Sequence, residues 1–219
     1  MFDLVSISFS MADCHPYCTC ELTRKSFLDL SLSFWTSVAY FVAVFAIYFQ
    51  SRAKHFKLEF WTLVGTLLSI SSMLFHSLYL RGTLALDYAS IILALSFFSL
   101  YSLALQKTKK KLVLEVSFFA LYFILWASFL YLTKVVRIGI CVVIFMISIY
   151  EVLNEKNKRQ RPRDYLLYWA VSILLVSFGG FIIEETRYWC SQNFFSAHSF
   201  WHLGSASSLY LYGRWRFVI

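Results

Sequence analysis

The sequence predicts an all-α, polytopic membrane protein that folds as a bundle of seven transmembrane helices. Of its 219 residues, 59% are hydrophobic and only 15% are charged, whereas soluble globular proteins carry about 25% charged residues. Two prolines and seven glycines leave long apolar stretches uninterrupted. These stretches reach about 20 residues, the length that a helix needs to cross a hydrocarbon core about 30 Å thick.

Seven apolar segments of this length follow one another with short polar connections. They are Phe27–Phe49, Leu58–Leu80, Leu84–Leu105, Leu112–Leu132, Val135–Leu153, Tyr165–Ile183 and Phe195–Tyr212. Because the connections are short, we expect one compact domain over residues 27–219, preceded by a short cysteine-containing segment at residues 1–26. The first ten residues lack a basic stretch before an apolar core, so no cleaved signal peptide is predicted.

Lysine and arginine cluster in alternate connections. Fourteen of the twenty basic residues follow the first, third, fifth and seventh segments. The other six are Arg24, Lys25, Arg81, Lys134, Arg137 and Arg187. The positive-inside rule therefore predicts an N-terminus that is lumenal or extracellular and a C-terminus in the cytosol. The same clusters explain the net charge of +8 as a topology signal beside anionic lipid, and no nucleic-acid partner is predicted.

Four of the five cysteines fall on the predicted outer side. They are Cys14, Cys18, Cys20 and Cys190. An even number of cysteines in an oxidising compartment indicates one or two disulfides, whose pairing the sequence leaves open. A zinc site made from the first three of them with His15 is the alternative, although the spacing is tighter than in the usual structural zinc patterns. Cys141 lies within the fifth segment and is expected to be a packing residue.

Ionisable residues inside the apolar segments are candidates for a functional site, since a membrane helix tolerates few of them. His198 and His202 lie four residues apart at the start of the seventh segment and therefore share one helical face. His76 lies near the outer end of the second segment, and Asp87 begins the third. The predicted topology brings all four to the same side of the membrane. Three neutral imidazoles and a water form a common catalytic zinc site, in which the metal lowers the pKa of the water to about 7.

Ser72 precedes His76 by four residues and shares its helical face. A hydroxyl at this position would lie beside the predicted metal. Serines are frequent in membrane helices because they let helices pack closely. Ser69 and Ser71 are therefore alternatives for the same role.

Three further residues lie near the predicted site. Glu184 and Glu185 lie at the outer end of the sixth segment, either as a solvated helix end or as partners of a ligand imidazole. Trp201, between the two histidines, is expected to anchor the helix at the membrane interface.

The ordered set Ser72-x3-His76, Asp87 and His198-x3-His202 resembles the signature of the CREST superfamily of seven-helix membrane hydrolases. This group contains the alkaline ceramidases, the adiponectin-type receptors, the post-GPI-attachment lipid remodelling proteins and the myomaker-like proteins. The resemblance covers the whole seven-segment order. It implies that His76, His198 and His202 bind zinc, that Asp87 holds and deprotonates the zinc-bound water, and that Ser72 stabilises the oxyanion or orients that water. It also implies hydrolysis of an amide or ester in a lipid that enters laterally from the bilayer.

The alkaline ceramidases match best in the spacing from Ser72 through His76 to Asp87, which implies a ceramide-like amide as the substrate. Those enzymes also carry an acidic calcium site before the first helix. Here Asp13 and Glu21 are available, but Ser33 stands where an acidic residue is expected. This difference puts calcium binding in doubt.

Two other branches offer alternatives. The stretch Ala197–Gly204 and the preceding Glu184 resemble the post-GPI-attachment remodelling proteins, which implies an acyl ester of a GPI anchor or a glycerophospholipid. The stretch Glu185–Arg187 before the histidine pair resembles the myomaker-like branch, which implies a non-enzymatic, receptor-like or membrane-remodelling protein with a structural zinc. Apart from the resemblance, the oxidising outer face that the cysteines indicate favours the endoplasmic reticulum, the Golgi or the plasma membrane of a eukaryote, with the site near the lumenal or extracellular face.

Overall fold

The computed structural model describes residues 32–52, 56–78, 80–107, 111–159, 163–185 and 197–218. These residues form seven α-helices and contain no strand, which confirms the all-α prediction. The helices are α1 Leu32–Gln50, α2 Phe56–Leu78, α3 Arg81–Lys107, α4 Lys111–Tyr131, α5 Lys134–Arg159, α6 Asp164–Glu185 and α7 Ala197–Phe217. Each of them coincides with one predicted apolar segment.

Four helices are long and apolar enough to cross a membrane, which supports a membrane protein. They are α1, α2, the Lys134–Asn154 part of α5 and the Asp164–Ile183 part of α6. The apolar part of α4, Val116–Tyr131, is shorter. Helix α7 is long but carries two histidines, two arginines and several serines, and these lower its hydropathy. The seven spans and the orientation of the termini stay predictions.

Helix α7 contacts both α1 and α6 extensively. Helix α1 also packs against α2, and α2 against α3, which in turn contacts α4 and α5. The last helix in the chain therefore lies beside the first, and the N-terminal ends of these two helices meet near the C-terminal end of α2. This arrangement brings together histidines that are more than 120 residues apart in sequence.

Two glycines allow these helices to approach closely. A Cβ atom at Gly213 of α7 would lie 2.8 Å from the Trp61 ring of α2 and 2.9 Å from the Ile47 side chain of α1. A Cβ atom at Gly65 of α2 would collide with Val44 of α1. The α1–α2–α7 contact therefore depends on the absence of side chains at these two positions.

Trp201 is 4% exposed and packs between the rings of Phe178 and Phe181 of α6. The prediction of an interface anchor is therefore wrong, because this side chain faces the neighbouring helix and not the membrane surface. Cys141 is buried in the same core cluster, as predicted for a packing residue.

Several residues singled out in the sequence lie outside the described part of the chain, namely Asp13, Cys14, His15, Cys18, Cys20, Glu21, Arg187 and Cys190.

Candidate metal centre

His76, His198 and His202 come together at one end of the bundle, each at most 3% exposed. His76 lies in the last turn of α2, and the other two lie on successive turns at the start of α7. The ring centroids are 4.7 Å apart for His76 and His198, 5.0 Å for His76 and His202, and 4.7 Å for His198 and His202. The structure therefore brings together the three predicted ligands.

The ring nitrogens converge at a separation that suits a single metal ion. One nitrogen from each histidine lies within 4.8 Å of the other two, and the Nε2 atoms of His76 and His198 are 3.0 Å apart. Zinc–nitrogen bonds of about 2.0–2.1 Å at tetrahedral angles place two ligand nitrogens about 3.4 Å apart. The observed separations bracket this value, so a zinc ion fits with small shifts of the rings.

The main chain of α1 sets the tautomer of His202. Its Nδ1 lies 2.9 Å from the carbonyl oxygen of Ser33, and a carbonyl can only accept a hydrogen bond. Nδ1 therefore carries the proton, and in the neutral ring Nε2 keeps its lone pair. Metal-binding histidines commonly make such a bond through the nitrogen that does not touch the metal.

Hydroxyl groups of α1 surround the same nitrogen. Thr36 Oγ1 lies 3.2 Å and Ser37 Oγ 3.1 Å from Nδ1 of His202. Ser37 also donates to Ser72 Oγ at 3.0 Å, and Ser72 Oγ lies 3.4 Å from Nε2 of His202. A continuous hydroxyl network thus runs from the first helix to the ligand-bearing face of the site.

The structure distinguishes the three candidate serines of α2. Ser72 lies beside His202, on the ligand side of the ring. Ser71 instead bonds to the hydroxyl of Tyr122 at 3.0 Å, and Ser69 donates to the main-chain oxygen of Ser37 at 2.9 Å. Only Ser72 of these three contacts a predicted metal ligand, which agrees with the helical-face argument.

Asp87 lies in the second turn of α3 and is 4% exposed. Two tyrosines of neighbouring helices lie close to the histidines and to Ser72. The Tyr40 ring contacts His202 at 5.7 Å, and Tyr122 bonds to the neighbour of Ser72. In the described part of the chain, the group of converging ligand atoms contains the three histidines and no carboxylate. Asp87 is therefore not a member of the converging ligand group.

The contribution of α1 to the site was not predicted from the sequence. Ser33, Thr36 and Ser37 form a polar stripe, at spacings of three and four residues, in an otherwise apolar helix. That spacing could have predicted a polar face on this helix, since it places all three residues on one side of it. Glu184 and Glu185 form the end of α6, but their side chains lie outside the described part of the structure.

The helix dipoles act in opposite directions at the site, because His198 and His202 lie at the N-terminal end of α7, where the dipole places partial positive charge. His76 lies near the C-terminal end of α2, where the helix dipole places partial negative charge.

No protein-family model, curated protein or solved structure matches this chain. The geometry of the site therefore carries the functional inference. That geometry is a buried group of three histidines, with the tautomer of His202 set by the Ser33 carbonyl and the Ser72 hydroxyl beside it.

Proposed function

We propose that this protein is a zinc-dependent lipid hydrolase that cleaves an amide bond, with a ceramide-like lipid as the leading substrate. The convergence of His76, His198 and His202, with Nε2 of His202 left to bind a metal, carries this proposal. Zinc at this site would polarise the substrate carbonyl and make a coordinated water acidic enough to ionise near neutral pH.

The chain's own residues divide the remaining chemistry between them. Asp87 accepts a proton from the attacking water as its oxygen bonds to the carbonyl carbon. The Ser72 hydroxyl donates to the oxygen on which negative charge develops. Asp87 then returns the proton to the leaving nitrogen or oxygen as the carbon–heteroatom bond breaks. The products are a carboxylic acid and an amine, or an alcohol if the substrate is an ester.

Two small apolar cavities lie beside the site. One, of about 40 Å³, is lined by Tyr40, Trp201 and Ser205 together with aliphatic side chains. A second, of about 30 Å³, shares Leu95 and Leu174 with it and extends towards the other end of the bundle. Each has room for only a few water-sized groups, so neither holds an acyl chain as it stands, and only the apolar lining supports a lipid.

A lipid hydrolysis screen tests the proposal. Purified protein is incubated with ceramides, glycerophospholipids and GPI-anchored substrates, with and without a zinc chelator, and the products are identified by mass spectrometry. We expect product only in the zinc-replete samples and none from the His202→Ala variant. Full activity in metal-free protein would overturn the proposal. Release of fatty acid from an ester, with no cleavage of ceramide, would favour the acyl-ester alternative.

A non-enzymatic role with a structural zinc is the second candidate, because a buried group of three histidines can hold a metal ion whether or not a reaction follows. The Asp87→Asn variant separates the two functions. Loss of hydrolysis with zinc retained supports the hydrolase. Zinc-replete wild-type protein that cleaves none of the lipids supports the structural role.

A further inference from the structure

Arg137 is a buried cation at the same end of the bundle as the histidines. It lies in the first turn of α5 and is only 4% exposed. Arginine is rarely so buried unless a partner compensates its charge, because a guanidinium loses most of its hydration there. Its surroundings therefore show whether the protein itself supplies that partner.

The protein uses only part of the donor capacity of this guanidinium. Nε of Arg137 donates to the main-chain oxygen of Leu132 at 3.0 Å, just beyond the end of α4. Cζ lies 5.8 Å from the centre of the Tyr88 ring. Among the described residues, no hydrogen bond is seen to Nη1 or Nη2, and neither atom is among the fully buried atoms that lack a partner. The four N–H groups of this outer edge are therefore available to a partner outside the described residues.

Aromatic contacts link Arg137 to the metal centre. Tyr88 directly follows Asp87 in α3, and its ring contacts Phe181 of α6 at 6.4 Å. Phe181 in turn contacts the ring of His198 at 6.4 Å. A molecule that bound the free edge of Arg137 would thus lie beside the helices that carry the site.

We propose that Arg137 binds the phosphate group of a membrane lipid. The Nη1–Nη2 edge of a guanidinium matches two oxygens of a phosphate, a bidentate arrangement that is stronger than neutral hydrogen bonds. Arg137 lies in the first turn of α5, at one end of a helix that is long and apolar enough to cross a membrane, where lipid head groups are within reach. This binding does not rest on the proposed function.

A binding experiment tests the site with the full chain in a neutral detergent. Binding of a short-chain phosphatidic acid is compared with that of the diacylglycerol bearing the same chains and with that of inorganic phosphate. The variants are Arg137→Gln, which removes the charge, and Arg137→Lys, which keeps the charge but loses the pair of nitrogens that binds two phosphate oxygens. Arg81→Gln is the matched control, because Arg81 is an exposed arginine at the start of α3.

We expect Arg137→Gln to weaken binding of phosphatidic acid at least about tenfold, the effect of losing one charge-assisted hydrogen-bonded pair. We expect Arg137→Lys to weaken it less, and Arg81→Gln to leave it unchanged. Inorganic phosphate should compete weakly, since it lacks the acyl chains. If Arg137→Gln does not fold, the comparison of Arg137→Lys with the wild type decides.

Equal binding of phosphatidic acid and diacylglycerol would overturn the proposal. Equal losses in Arg137→Gln and Arg81→Gln would also overturn it, because they would indicate general attraction to a basic surface. The His76→Ala variant separates the two proposals. If it binds no metal yet still binds phosphatidic acid through Arg137, the lipid site stands even where the hydrolase proposal fails.

Discussion

The two halves of α7 differ sharply in what they contact. In the N-terminal half, polar groups bond to polar groups of α1: Ser199 Oγ lies 3.2 Å from Ser33 Oγ, and Ser205 Oγ lies 2.6 Å from the hydroxyl of Tyr40. In the C-terminal half, rings pack against other helices, as where Phe217 lies 5.6 Å from Trp61, and single hydrogen bonds join it to them, as where Trp215 Nε1 donates to Asp164 at 3.0 Å. One helix therefore presents a buried polar network at one end and a surface of packed rings with separate hydrogen bonds at the other.

This difference separates function from stability. Buried polar groups are tolerated only where they bond to one another, so the N-terminal half retains its histidines through a network that also orients them. The C-terminal half contains Gly213, whose missing side chain leaves room for Trp61 and Ile47. Variants in the first half should change metal binding and rate, whereas variants in the second half should change stability.

The largest effect is expected from His76→Ala, which removes one of three metal ligands. Without a third imidazole, the site should lose its zinc, and lipid hydrolysis should fall to the uncatalysed rate. Elemental analysis and product detection by mass spectrometry measure both effects. Leu74→Ala is the matched control, because Leu74 is an exposed residue of the same helix. If the His76→Ala protein kept its zinc, His76 would not be a ligand of the metal.

The Asp87→Asn variant should lower the rate of hydrolysis by about 10²–10⁴-fold, the usual contribution of a general base. Zinc content should stay unchanged, because Asp87 is not one of the converging ligand groups. Parallel measurement of metal content and kcat tests whether the rate falls while the zinc content is unchanged. Loss of zinc in this variant would instead make Asp87 a ligand or a structural partner of one.

The Ser37→Ala variant should lower zinc affinity or activity by about tenfold, at the lower end of the effect of removing a partner of a ligand. The effect is modest because the Ser33 carbonyl still accepts the hydrogen bond from Nδ1 of His202. Zinc competition with a chelator measures the affinity. Ser207→Ala is the control, since Ser207 is exposed and bonds only within α7. Equal effects of the two variants would show that α1 does not contribute to metal binding at the site.

The smallest effect on catalysis is expected from Gly213→Ala, in the C-terminal half. Its methyl group would collide with Trp61 and Ile47, and overpacking of this kind costs about 1–3 kcal/mol of stability. Thermal unfolding in detergent should show the loss, while the rate per folded molecule should match the wild type. A changed rate at unchanged stability would show that the two halves of α7 are coupled.

The sequence predicted most of the helical fold, because helices in apolar chains follow from composition and local length. All seven apolar segments correspond to helices, with ends shifted by only a few residues where both bounds are described. It also named the three histidines correctly as a group. The charge pattern placed them at one side, and the i, i+4 spacing of His198 and His202 paired two of them.

The sequence alone did not reveal the role of α1 or the burial of Trp201 and Arg137. Each depends on which neighbouring helix a side chain faces, and spacing along one helix carries no such information. Only the tertiary structure places Ser33 against His202 and buries Arg137 at the start of α5. The sequence by itself thus determined the helices and the candidate ligands. Packing between helices decided how the ligands are oriented, because hydrogen bonds between distant residues form only once the helices have assembled.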